Sequence, residues 1–207
     1  MADSSASRAT AVDTLDAIRS DLGECTRCAL HTGRTMLVFG VGNPDADLVF
    51  VGEAPGRDED LQGVPFVGRA GQLLTKIIAS IGLTRDEVYI ANVVKCRPPG
   101  NRNPSSHEIA SCLPFVERHI ELVDPDILVP LGGPAAKTLL ARTEGITRMR
   151  GRWFDYPSQG DGGTDGRAGT IPAMPIFHPA YLLRHPSSKR FAWIDLLAIK
   201  ARLEDIS

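Results

Sequence analysis

The stretch Asp47-Leu48-Val49-Phe50-Val51-Gly52-Glu53-Ala54-Pro55-Gly56 decides the fold. Its first half is a short apolar run ending in glycine, the pattern of a strand buried on both faces. Its second half is a Gly/Pro turn, where a backbone reverses sharply and approaches a ligand closely. Outward from it, Val88 to Val94, Asp126 to Leu131 and Ala173 to Phe177 repeat the apolar run, and Met149 to Tyr156 is a further candidate strand. Helical stretches lie between and around them. Ala11 to Leu22 places Val12, Leu15, Ile18 and Leu22 on one face, and Gly71 to Ile81 carries Leu73, Leu74, Ile77 and Ile78. Ser105-Ser106-His107-Glu108 has capping-box spacing and opens a helix to Val123. Gly132-Gly133-Pro134 leads into another, and Ser187 or Ser188 caps a terminal helix containing Phe191, Ile194, Leu197 and Leu203. Alternating strands and helices imply an α/β chain with a parallel sheet covered on both faces. The expected form is a three-layer α/β/α sandwich around a mainly parallel four-stranded sheet. Ligands in such folds bind at the carboxyl ends of the strands, and every motif below sits at such an end.

A length of 207 residues fits one domain, expected over 11–207 behind a disordered tail from Met1 to Thr10. With 43% hydrophobic and 23% charged residues the composition is that of an ordinary globular protein, not a disordered or fibrous one. No apolar run reaches the roughly 18 residues of a membrane span. The first ten residues lack the apolar core of a secretory signal. Charge is nearly balanced overall but unevenly spread. Residues 1–60 carry 5 Lys/Arg and 11 Asp/Glu, whereas residues 137–202 carry 11 and 5. That asymmetry fits a basic face for a polyanion, and equally a scatter of solvated charges. Gln159 to Thr170, rich in Gly and Asp, reads as a mobile loop with no assigned role.

The four cysteines are Cys25, Cys28, Cys96 and Cys112. A close pair with two distant partners is a four-thiolate set that the fold must bring together. Iron–sulfur clusters and structural zinc both use such sets. The second C-x-x-C pair of a zinc ribbon is missing, and disulfides do not suit a chain without a secretion signal. Cluster, zinc and unconnected thiols all stay open on spacing alone. A closed four-ligand site would be structural.

The turn after the first strand continues as Arg57-Asp58-Glu59-Asp60 and closes with Pro65-Phe66-Val67-Gly68. It lacks the Gly-Lys-Ser/Thr ending of a Walker A loop. Its carboxylates suit hydrogen bonding, water polarisation or cation stabilisation, and Phe66 suits stacking on a flat ring. Asn92, near the end of the second strand, offers a donor and an acceptor fit to read a pyrimidine edge, or to cap a turn. His178 begins His178-Pro179-Ala180-Tyr181-Leu182-Leu183-Arg184, after the last strand, where catalytic and structural roles are both open. Leu182 and Leu183 fit either the core or a wedge beside a phosphate contact.

Taken together, the cysteine spacing, Gly52-Glu53-Ala54-Pro55-Gly56 with Glu59 and Phe66, Asn92-Val93-Val94-Lys95-Cys96, and the segment from His178 to Arg184 resemble the family 4 uracil-DNA glycosylases. These are iron–sulfur enzymes of bacteria and archaea, and the resemblance runs from about Asp13 to Leu203. It implies a DNA-repair hydrolase that cleaves the N-glycosidic bond of deoxyuridine, releases free uracil and leaves an abasic site, with no lyase step. It also implies a structural 4Fe-4S cluster on Cys25, Cys28, Cys96 and Cys112. By the same resemblance Gly52, Glu53 and Ala54 line the uracil, Phe66 stacks on it, Asn92 reads its edge and His178 donates to its O2. Glu59 is a second functional carboxylate, and Tyr181, Leu182, Leu183 and Arg184 contact DNA, with Leu182 as wedge and Arg184 on phosphate.

Ala54 stands where the best-known branch of the superfamily has a water-activating Asp, which leaves that role open between Glu53 and Glu59. Asn101 stands where a covalently trapping branch has a His, so turnover is expected. The implied setting is a monomer acting on single- or double-stranded uracil-containing DNA, without a membrane partner, in the prokaryotic cytoplasm with the nucleoid. The competing reading is a non-catalytic or covalently trapping uracil-DNA-binding Fe–S protein, and release of free uracil separates the two.

Overall fold

The computed structural model describes residues 15–157 and 169–206. The expected tail, the first residues of the opening helix and residues 159–168 of the Gly/Asp-rich loop lie outside that range. The described part of α1 is residues 15–22. There follow β1 (Val41–Gly42), β2 (Leu48–Gly52), α2 (Arg57–Gln62), α3 (Arg69–Ser80), β3 (Tyr89–Asn92), α4 (Ser106–Val123) and β4 (Ile127–Pro130). The chain continues through α5 (Gly133–Leu139), α6 (Ile146–Met149), β5 (Phe154–Pro157), β6 (Thr170–Ala173), α7 (Pro179–Arg184) and α8 (Lys189–Ile206).

The strand order is β1-β3-β2-β4-β6-β5, with the four inner strands parallel and both edges antiparallel. β2 is buried along its whole length. Because side chains alternate across a strand, Leu48 and Phe50 join one apolar cluster while Val49 and Val51 join another. Leu22 of α1, Val116 and Ile120 of α4 and Ala136 of α5 cover the Val49 face. Leu74 and Ile78 of α3, Leu182 of α7 and Leu196 of α8 cover the Phe50 face. The three-layer expectation therefore holds, and the sheet has six strands rather than four.

The two additional strands lie at the edges, where sequence signals are weakest. β1 has only two residues, and a side chain on Gly42 (φ 128°) would run into the Val88 carbonyl. β5 is shorter than the expected Met149–Tyr156, because Met149 ends α6 with its side chain fully buried. The last inner strand is Thr170–Ala173, and Ile176 beyond it keeps only a single parallel bridge to Leu131. α8 buries Ala192, Asp195, Leu196 and Ile199 and leaves Ile194 and Leu197 outside, since apolar residues occupy both of its faces. Arg150 holds it to the body of the domain, donating from Nε to Asp195 at 2.8 Å.

β3 flanks β2 on one side and β4 on the other, so the chain switches direction at the carboxyl end of β2. A crevice opens outside a parallel sheet at such a point. The candidate site occupies it.

Candidate active site

A cavity of about 570 Å³ lies over the ends of β2, β3 and β4 and brings together Glu53, Ala54, Glu59, Phe66, Asn92, His178, Tyr181 and Arg184. Its floor is an extension of the sheet. Val93 donates to the Gly52 carbonyl and Val94 to the Glu53 carbonyl, each at 2.9 Å, so pairing continues one step past both strands. Gly52, expected to line the site, is not among the residues bordering the cavity, and a Cβ there would meet Asn92 Oδ1 and come within 2.6 Å of Phe66 Cζ. Its bare backbone leaves the slot between amide and ring.

Asn92 ends β3 and is almost fully buried. Among the described residues two buried side-chain polar atoms lack a hydrogen-bond partner, Asn92 Oδ1 and His119 Nε2. A buried acceptor left without a partner costs about 1–3 kcal/mol, a cost that a ligand N–H can remove. His119 lies in the core against Phe39, with centroids 4.3 Å apart, and does not line the cavity.

Phe66 presents its ring from a backbone in the left-handed region, φ 54°. For a non-glycine residue this costs roughly 1–3 kcal/mol and persists only where neighbours enforce it. Glu59 is one enforcer. Its Oε1 accepts the Val67 and Gly68 N–H groups at 2.9 Å each, and its Oε2 accepts the Gly56 N–H at 3.1 Å. Gly71 is another, because a Cβ there would overlap the Phe66 carbonyl.

Glu59, expected as a second functional carboxylate, therefore has both of its oxygens engaged by backbone donors. Although it borders the cavity, it serves as a clamp on three backbone donors. Helix α2, read from sequence as part of a turn, is what aims it, with Glu59 at the third helical position behind Gly56. Glu53 is the carboxylate without such commitments. It is half-buried, and desolvation raises its pKa above the usual carboxylate range.

His178 caps α7: its Nδ1 accepts the Ala180 N–H at 3.1 Å. Burial, with the Arg184 charge as a smaller contribution, pushes its pKa down to about 4. The ring is neutral at ordinary pH, and an Nδ1 that accepts leaves the proton on Nε2. Its centroid lies 5.7 Å from that of Phe66, at 35°. Gly132 (φ 87°) makes room for it, since a Cβ would lie 2.9 Å from His178 Cβ.

The segment from Tyr181 to Arg184 is helix, not loop. Leu182 is buried in the apolar cluster on the Phe50 face, on a helix packed against α3, so its expected role as wedge is corrected. Leu183 is half-buried and Arg184 exposed at the mouth. Tyr181 stacks on Phe177, with centroids 4.8 Å apart.

A further wall is formed by Pro98, Asn101, Arg102 and Asn103, from the turn after β3, of which the sequence singles out Asn101 only by its place where a trapping branch has a His. Arg102 donates to both oxygens of Glu108, at 2.8 and 2.7 Å, and tethers this turn to the start of α4. That guanidinium, with the Ser105 N–H, holds the Glu108 pKa at about 2. The capping box was visible in sequence; the arginine reaching back to it was not. Asn101 (φ 55°) has its Oδ1 taken by Arg97 Nε at 2.7 Å.

The four cysteines line one small cavity between α1, the turn after β3 and α4. Arg34 donates to Cys96 Sγ at 3.4 Å and Arg27 to Cys25 Sγ at 3.5 Å, donors suited to anionic sulfur. No three His, Cys, Asp or Glu side chains among the described residues converge on a single-ion site. No helix among the described residues is long and apolar enough to cross a membrane.

The family model of the uracil DNA glycosylase superfamily matches residues 39–199. A type-4 uracil-DNA glycosylase of Thermotoga maritima is 42% identical over 181 residues, covering 87% of this chain and 88% of that one. The type-4 enzyme of Archaeoglobus fulgidus is 42% identical over 179 residues, 84% and 86% of the two chains. That of Sulfurisphaera tokodaii is 39% identical over 194 residues, 91% and 84%. With this agreement over most of its length, the chain belongs to the uracil-DNA glycosylase superfamily, among the type-4 enzymes.

Proposed function

We propose that the chain excises uracil from DNA by hydrolysis, with Phe66, Asn92, His178 and Glu53 as the working residues. The unpartnered Asn92 Oδ1 carries the reading. Uracil has a hydrogen on N3 and satisfies that oxygen, whereas cytosine has a lone pair at N3 and leaves it unpaired.

The bond to be broken is inaccessible inside a stacked duplex, so the nucleotide is everted first, at a cost of a few kcal/mol. The base then stacks on Phe66 and hydrogen-bonds to Asn92. As the glycosidic bond lengthens, negative charge grows on the base, and the His178 Nε2–H donates to O2. A preorganised donor of this kind contributes about 3–4 kcal/mol in other enzymes. Glu53 faces the cationic sugar and orients the attacking water, because Glu59 is occupied with backbone. Water adds to the sugar carbon, and uracil leaves as an anion that takes up a proton. No lyase step is expected, and no lysine is among the described residues that line the cavity. Asn101, an amide, supplies no trapping nucleophile.

Cys25, Cys28, Cys96 and Cys112 would hold a 4Fe-4S cluster, which ties α1, the β3 turn and α4 into one unit. The four thiols line one small cavity, and the resemblance to iron–sulfur enzymes favours a cluster over zinc. The chain is read as acting as a monomer. Its substrates are single- and double-stranded uracil-containing DNA, in the cytoplasm with the nucleoid. Leu183 replaces Leu182 as the wedge, and Arg184 takes a flanking phosphate. Release of free uracil from a labelled oligonucleotide tests the reading; DNA binding without release at any salt or pH would overturn it.

A further inference from the structure

The backbone around Phe66 is held from two sides by two charged side chains. The peptide plane after Phe66 is fixed through the Val67 N–H, which donates to Glu59. The plane before it is fixed through the Pro65 carbonyl, which accepts from Arg85 Nη2 at 2.9 Å. These planes flank the φ and ψ rotations of Phe66. Pinning both therefore sets the residue's conformation, which its own preferences oppose.

Arg85 belongs to the connection between α3 and β3, far in sequence from the turn that it grips. It is half-buried, and it lines a separate cavity of about 250 Å³ that shares Phe66 with the active site. Its Nη1 reaches Thr75 Oγ1 at 3.4 Å, and Thr75 in turn donates to the Gly71 carbonyl at 3.1 Å. Gly71 is the residue whose missing side chain admits the Phe66 carbonyl. The guanidinium thus braces both supports of the ring, the peptide before it and the helix turn beneath it.

We infer that Arg85 is a positioning residue for base capture: by holding the Pro65 carbonyl it orients the Phe66 ring on which the everted uracil stacks. This rests on the uracil-excision reading and extends it to a residue outside the pocket.

The test compares the holoprotein with Arg85→Ala, Arg85→Lys and Arg85→Gln, each alone and with Phe66→Ala. The readouts are single-turnover excision, inhibition by free uracil, and affinity for DNA carrying a tetrahydrofuran abasic-site analogue. Loss of one such hydrogen bond predicts about tenfold slower excision and about tenfold weaker uracil inhibition for Arg85→Ala. Affinity for the abasic analogue, which puts no base on Phe66, stays within about twofold. Arg85→Lys, which keeps a donor for Pro65, recovers most of the loss, and Arg85→Gln stands in if the alanine variant does not fold. In the Phe66→Ala background the Arg85 substitutions add nothing, as a double-mutant cycle requires of residues acting through one another. Equal effects with and without Phe66, or abasic-DNA affinity falling in step with uracil affinity, would overturn the assignment. Wild-type protein that releases no uracil would sink the functional reading itself, whereas wild-type release with an unimpaired Arg85→Ala variant would sink only the role of Arg85.

Discussion

The Nδ1 atom of His178 accepts the backbone N–H of Ala180, two residues along its own chain, at 3.1 Å. Burial, with the Arg184 charge as a smaller contribution, pushes its pKa down to about 4, and the neutral ring is the form that can offer this acceptor. The folded pKa lies below the unfolded value of about 6.5. Between those two values the unfolded chain binds more protons. Stability from this group is therefore full above pH of about 6.5 and is lost, at up to about 1.4 kcal/mol per pH unit, as the pH falls toward 4. Excision should be level across neutral pH, with its acid limb well below 6.5. A limb centred near 6.5 in single-turnover rates, absent from His178→Asn, would contradict a neutral donor.

Asn92→Ala removes the one polar atom placed to read N3. Discrimination through it is worth about 1–3 kcal/mol, so uracil excision should slow by about 10- to 100-fold. Thermal stability should hold or rise, because an unpartnered buried oxygen is removed. A variant that excises uracil at the wild-type rate would take Asn92 out of recognition.

The two carboxylates should separate in kinetics. Glu53→Gln keeps the pocket intact, so inhibition by free uracil stays near wild type while the single-turnover rate falls by about 100-fold or more. Glu59→Gln presents an amide N–H where backbone donors converge, and both uracil affinity and rate should fall. The reverse pattern would return water activation to Glu59.

The cysteine site predicts brown protein, with visible absorbance, when purified without air. Cys112→Ser should bleach it and destabilise the fold by several kcal/mol, a fall of about 10 °C in Tm for a chain this size. Colourless protein holding zinc would overturn the cluster.

Much of this was legible in the sequence, for identifiable reasons. Leu48–Gly52 announces a doubly covered strand because every residue of it is apolar or glycine and both faces are buried. Asn92 and His178 could be placed together because each stands at or just past the carboxyl end of an inner strand, whereas Phe66, read as closing the turn after β2, lies between α2 and α3. What was hidden depends on contacts between distant segments. Nothing local distinguishes Leu182, a core residue, from Leu183 beside it until α7 packs against α3 and buries one of them. Glu59 looked catalytic because its three backbone partners are fixed only once α2 and the Pro65–Gly68 turn meet. The short edge strands form through pairing rather than pattern.

The account stands most directly on where free uracil lies when soaked into crystals of the holoprotein. It predicts the ring stacked against Phe66, with N3–H on Asn92 Oδ1 and O2 on His178 Nε2. Uracil bound elsewhere, or seated in the cavity with Asn92 Oδ1 still unpartnered, would contradict it.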